Sequence, residues 1–294
     1  MGKVNLKFSK LIFYVFISLV MVSTNCDSAK HIETASDATR FRLIVSKMYM
    51  DPNNDNDIKL GGGGWGGDVI IRINENPIKI NSYGGVLFEI THWVKPGENV
   101  LSFSGSMSKN LYFKIFSIGE ELRVKKTIAA GFVKPEEINR YEKEFSIVSQ
   151  YTPAFYRSEA IKKESRYELQ LVAKIKKLHD MLADHDEDSF VQMMSGGANI
   201  WSKKIGASKQ IKIKEKEMRE TFFKHSNAKV EDLKLSELKI IWGNQSVLVY
   251  EGFDQPNSNL RDPYLFKVVM PDGKINYISP ICLVFLNDKW IVWD

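Results

Sequence analysis

The chain has 294 residues, 44% of them hydrophobic, which suits packed cores and excludes a disordered chain. Its formal charge of +5 overstates its basicity: residues 1–26 hold three lysines and no acid, leaving 38 basic against 36 acidic residues beyond them. That balance argues against general polyanion binding, so no nucleic-acid partner is expected.

The first 29 residues read as an export signal. Lys3, Lys7 and Lys10 precede an apolar run from Leu11 to Val22, followed by small polar residues. As a helix this run would rise roughly 18 Å, short of a ~30 Å hydrocarbon core. An exported, periplasmic or secreted protein with no transmembrane span in the mature chain is expected. Cys26 offers lipid anchoring as an alternative, although Ser23 and Asn25 depart from the usual lipidation pattern. The other cysteine, Cys282, sits in an apolar run and reads as a small buried hydrophobe.

Residues 30–130 carry a strand-like pattern. Phe41–Tyr49, Asp68–Ile73, Val86–Ile90, Val100–Phe103 and Leu111–Phe116 are short and rich in β-branched and aromatic residues, with turn signals between them. This spacing predicts a β-sandwich. The fragments Asp68-Val-Ile-Ile-Arg-Ile-Asn-Glu-Asn-Pro-Ile78 and Ile90-Thr-His-Trp-Val-Lys-Pro-Gly-Glu-Asn-Val-Leu101 resemble jelly-roll domains of the galactose-binding type. In the second, Pro96 fixes φ and Gly97 permits positive φ, so the chain reverses before Val100 and Leu101 return to the core. The resemblance implies the fold more than sugar binding.

Two loops in this half carry candidate ligands. Gly62-Gly-Gly-Trp-Gly-Gly67 fits a dinucleotide fingerprint by letter, but a strand follows where a helix is required, so no cofactor is expected. Trp65 at its tip is a candidate contact residue. Asp51, Asn53, Asp55 and Asp57 cluster oxygens suited to calcium, without the glycine and glutamate of an EF-hand loop.

Residues 131–155 read as a helical connector: Pro135-Glu136-Glu137 is a favourable helix start, and Tyr151-Thr-Pro153 breaks the pattern. Residues 156–294 then read as an α+β unit. Ser158 is placed to cap a helix whose apolar stripe is Tyr167, Leu171, Ile175, Leu178 and Leu182. Asp186 or Asp188 caps a short helix to Met194, stopped by Ser195-Gly-Gly197. A fourth helix, about 214–225, precedes strands separated by turns at Gly243-Asn244, Asp272-Gly273 and Asn287-Asp288. The lysines from Lys203 to Lys216 read as a solvated loop and helix start rather than an anion site.

This half resembles the nuclear-transport-factor-two-like superfamily, which includes ketosteroid isomerases and SnoaL-type cyclases. The resemblance rests on the long helix, Asp186-Glu-Asp-Ser-Phe190, Trp242-Gly-Asn-Gln-Ser-Val247 and Asn287-Asp-Lys-Trp-Ile291. It implies a cone of helices on a curved antiparallel sheet, with Trp290 in the core. His185 and Asp186 are the candidate acid–base pair, because imidazole titrates near neutrality and a carboxylate can orient it. Asp186 also has a sufficient task as a cap. His179 and His185 are six apart and do not share a helical face. Tyr250, Tyr264 and Tyr277 are candidate ligand contacts on the sheet.

The expected fold is thus an all-β jelly-roll-like sandwich followed by an α+β cone. The function expected is an exported non-catalytic binding protein for a glycan, a surface protein or a small hydrophobic ligand. The alternative is an isomerase, cyclase or hydrolase with its site in the cone. A pocket lined by His185 or Asp186 with a tyrosine favours the alternative; a cone filled by its own side chains removes it.

Overall fold

The computed structural model describes residues 40–46, 67–81, 85–119, 124–149, 151–157, 160–161, 164–205, 207–253 and 263–293. The expected export segment, Cys26, Ser158, the loop with Trp65 and the Asp51–Asp57 cluster lie outside the described residues.

Eight strands come first: β1 (Arg40–Ser46), β2 (Val69–Ile73), β3 (Asn76–Asn81), β4 (Val86–Glu89), β5 (Gly97–Gly105), β6 (Leu111–Ile118), β7 (Val124–Val133) and β8 (Glu142–Ile147). They form two antiparallel four-stranded sheets, β4-β1-β6-β7 and β3-β2-β5-β8, in a sandwich-like arrangement. Period-two patterning puts Leu43, Val45, Ile71, Ile73, Leu101, Phe103, Phe113 and Ile115 in one core cluster. Asn74 and Glu75, with φ of 50° and 65°, make the tight turn between β2 and β3. Gly97, with φ of 83°, starts β5 as the Pro-Gly signal requires.

The expected connector helix is corrected by β8. Pro135–Glu137 makes only a single 3-10 turn, and Glu142–Ile147 is extended. Phe145 and Ile147, two apart, are both buried, and the strand pairs with β5 along its length, Gly97 opposite Ile147 and Ser102 opposite Glu142. A strong local helix start is overridden because only the extended form buries both side chains and completes the sheet.

The described part of the second half holds four helices: α1 (Ser165–Ala183), α2 (Glu187–Met194), α3 (Gly196–Ser202) and α4 (Ser208–Phe222). Ser195-Gly-Gly197 stops α2 as expected, but the chain turns at once into α3, and α4 begins six residues before Lys214. Strands follow: β9 (Lys229–Val230), β10 (Lys239–Trp242), β11 (Ser246–Tyr250), β12 (Gly252–Phe253), β13 (Pro263–Tyr264), β14 (Phe266–Val269), β15 (Ile275–Ile278), β16 (Ile281–Leu286) and β17 (Lys289–Val292). They form antiparallel sheets β10-β11-β16-β17, β15-β14-β9 and β12-β13, so the whole is a mixed α+β structure.

The sheet β10-β11-β16-β17 is buried on both faces. On one, Val247, Val249, Leu283, Trp290 and Val292 pack in a cluster with Leu171, Ile175, Leu178 and Leu182 of α1. The Trp290 indole donates to the Tyr167 carbonyl at 3.1 Å, as its expected core position allows. On the other, Leu248, Cys282, Val284 and Trp293 join the sandwich cluster. Trp293 is fully buried, donates from Nε1 to the His92 carbonyl at 3.2 Å, and accepts from the Trp201 indole at 3.1 Å. His92 stacks on Trp201 with centroids 4.2 Å apart.

Polar bonds complete this seam. Asn76 donates to Gln245 Oε1 at 3.1 Å and accepts from the Gln245 backbone N–H at 2.7 Å. Asn74 donates to Asn99 Oδ1 at 2.9 Å and to the Tyr156 hydroxyl at 2.8 Å; Tyr156 donates to the Trp93 carbonyl at 2.6 Å. Burial pushes the Tyr156 hydroxyl up to about 12, so it serves as a neutral donor.

Candidate functional site

The outer face of the sheet β3-β2-β5-β8 presents a polar row. With Ile71, Ile73, Leu101 and Phe103 turned to the core, Arg72, Ser102 and Ser104 fall on the other face. Arg72 lies opposite Ser102, and Ser102 opposite Glu142. Beside this row stands the hairpin of β10 and β11. The two border an open cleft of about 500 Å³, lined also by Glu75, Arg140, Tyr141, Trp242 and Asn244.

Local contacts fix the walls. A Cβ on Gly243 would lie 2.3 Å from Pro77 Cδ, so only glycine lets the hairpin sit this close to β3. Arg72 Nη1 approaches both the Trp242 and Glu75 carbonyls at 3.3 Å. Burial lowers the pKa of this guanidinium and Glu75 pulls it back up, leaving a cation. The Asn244 carbonyl accepts from the Ile161 N–H at 2.7 Å. Tyr141 packs edge-on to Phe113 at 5.8 Å; burial and then Glu137 raise its pKa. The Ser104 hydroxyl oxygen is buried with no hydrogen-bond partner.

Guanidinium donors, carboxylate acceptors, small hydroxyls and two aromatic rings thus share one concavity. That set can both donate to and accept from a ligand's hydroxyl groups while an aromatic face covers its apolar side. Among the described residues no cluster of three metal-ligating side chains occurs.

The chain matches no family model, no curated protein and no solved structure.

The residues singled out from sequence are dispersed. His185 has φ of 57° in the turn between α1 and α2, and its Nε2 lies 3.2 Å from the Ala228 carbonyl. Asp186 caps α2, its carboxylate accepting from the Ser189 N–H at 3.2 Å. Each has a structural task. His179 Nε2 lies 2.8 Å from the Glu231 carbonyl. Tyr264 and Tyr277 come together, ring centroids 5.1 Å apart, with Lys267 directly opposite Tyr277 on the paired strand. Tyr250 packs against the sandwich cluster. Near Tyr264, burial and then Glu237 raise the pKa of the Glu251 carboxyl.

Sequence reading missed the cleft. The available signal was the alternation Ile71-Arg72-Ile73 and Leu101-Ser102-Phe103, whose polar members must share a face once β2 and β5 pair. Glu142 could not be added while 135–148 read as helix. Trp242 is legible only as part of a hairpin, and nothing local places it against a sheet about 170 residues earlier in the chain, where Arg72 meets its carbonyl.

Proposed function

We propose that the protein is an exported, non-catalytic binding protein whose ligand is a hydroxyl-rich molecule of the glycan class, held in the cleft between the sandwich and the β10–β11 hairpin. In this reading the sandwich is jelly-roll-like and the second half is a cone. The observation that carries it is the row Arg72, Ser102 and Glu142 in cross-strand register, flanked by Tyr141 and Trp242. Arg72 and Arg140 donate to hydroxyl oxygens, and Glu75 and Glu142 accept hydroxyl protons.

The enzymatic alternative draws on one observation, the raised Glu251 carboxyl near Tyr264. Weighing against it, the space between α1 and the sheet is filled by Leu171, Ile175, Phe190, Leu265, Phe266 and Trp290. A filled interior leaves little room for a small hydrophobic substrate.

The test is an array of neutral and charged oligosaccharides probed with the full chain, then calorimetry on any that binds. Arg140→Ala and Glu142→Gln change exposed side chains, so folding is preserved, and each should weaken binding roughly 10-fold or more. A control, Lys126→Ala on β7, should bind as the parent does. Absence of oligosaccharide binding, or variants that bind unchanged, refutes the assignment.

A further inference from the structure

Trp201, Ile205, Ala207 and Ile211 join the core, and the exposed lysines between and after them serve neither core nor cleft. In α4, Ile211 is buried and Met218 and Phe222 pack inward. At 100° per residue, Lys209, Lys212, Ile213 and Lys216 therefore share the opposite face. Lys203 and Lys204 occupy the turn just before this helix, and all six positions are exposed. Among the described residues no carboxylate pairs with Lys203, Lys204, Lys209 or Lys212. Of the acids on α4, Glu215 accepts from Asn199 at 3.1 Å, Glu217 is exposed one turn after Ile213, and Glu220 lies on the lysine face 3.7 Å from Lys216, toward the C-terminal end of the helix.

Two large apolar side chains are exposed in the same part of the chain, Ile213 on the lysine face at 40% exposure and Ile200 of α3 at 37%. A solvated cationic face has no need of them. A polyanion in water would meet the charges but gain nothing from the isoleucines. An anionic bilayer uses both, because lysine ammonium groups sit at the headgroups while short apolar side chains enter the acyl boundary. The first turn of α4 also holds no acid, so lysines crowd the end of the helix that disfavours them. A negatively charged surface relieves that.

We propose that the α3–α4 face is a peripheral docking surface for an anionic lipid bilayer. The interaction is electrostatic first and apolar second, so it is reversible and weakens with salt.

The experiment is co-sedimentation of the full chain with vesicles of phosphatidylcholine alone and with about one third phosphatidylglycerol. The protein should pellet with the anionic vesicles only, and less so in 0.5 M salt. The combined variant Lys203→Glu, Lys204→Glu, Lys209→Glu and Lys212→Glu should reduce partitioning at least ~100-fold. These side chains are exposed, and an unchanged melting curve establishes that the variant is folded. Ile200→Ser with Ile213→Ser should reduce vesicle binding several-fold while leaving retention on heparin unchanged. Failure to bind anionic vesicles overturns the proposal, as does full binding by the four-lysine variant. Vesicle binding that the isoleucine pair does not affect also overturns it, since the face would then be a general polyanion site.

Discussion

Trp293→Ala should cost about 4–6 kcal/mol of stability, more than the loss of a typical core side chain. The indole is fully buried and sits edge-on to Phe155 at 5.2 Å. A buried tryptophan removes about 150–250 Å² from water, and at ~25 cal/mol/Å² most of that is lost on truncation, roughly 3–5 kcal/mol once the cavity has partly relaxed. The His92 carbonyl also loses its donor, which adds about 1 kcal/mol or more. The backbone bonds of Trp293 to Cys282 and from Trp201 survive the change. Trp293→Phe keeps a ring but loses the donor and should cost about 1–3 kcal/mol. Urea unfolding followed by both tryptophan fluorescence and far-UV circular dichroism is the assay. Because Trp293 joins the sandwich cluster to the C-terminal sheet, the parent should give coincident transitions, and the alanine variant should give transitions that separate by probe. A loss under 1 kcal/mol, or coincident transitions at an unchanged midpoint, would refute the claim that this residue fastens the two halves.

Trp290→Ala should cost about 3–5 kcal/mol through the other core, and a near-neutral result would show that α1 does not pack on β17 as described. Gly243→Ala should cost about 1–3 kcal/mol, since its Cβ meets Pro77 and the Glu75 carbonyl; equal melting temperatures would show that the hairpin is not seated against β3. For Glu251, burial and Glu237 raise the folded-state pKa above the unfolded one. The folded protein therefore holds this proton longer, and the group's contribution is favourable at low pH and lost as pH rises through the folded value. Glu251→Gln should match the parent at about pH 4 and melt higher at about pH 7; a lower melting temperature at pH 7 would overturn the assignment. His185→Gly removes left-handed strain of about 1 kcal/mol and a hydrogen bond of about the same size, so it should be near neutral. His185→Ala keeps the strain and loses the bond, costing about 1 kcal/mol, and the two variants are separated by thermal melts.

Where local pattern and tertiary demand agree, the sequence was sufficient. The α1 stripe, the Asp186 cap, the turns at Asn287-Asp288 and Asp272-Gly273, and the opposite facing of Trp290 and Trp293 all follow from periodicity and turn chemistry over a few residues. β8 did not, because Pro135-Glu-Glu137 is a good helix start and Phe145 and Ile147 show their period only beside β5. The candidate cleft failed for a related reason. Each wall reads locally as an ordinary solvated strand face or hairpin, and its meaning comes from a contact across some 170 residues.

The seam that this contact belongs to is polar at the hairpin end and apolar at the Trp293 end. At the Trp293 end, Trp201, Leu248, Cys282 and Val284 exclude water, and the bond to His92 sets only orientation. At the hairpin end, Asn76 and Gln245 hold each other by paired bonds, and Gly243 lets the backbones touch. Buried apolar area fastens two surfaces without specifying register, whereas paired amide bonds fix register and tolerate water nearby. The proposed binding of a ligand uses that second kind of wall, with fixed geometry beside an open concavity. The cleft between Arg72, Glu142 and Trp242 lies at the hairpin end of the seam, beside the Asn76–Gln245 bonds and the Gly243 contact.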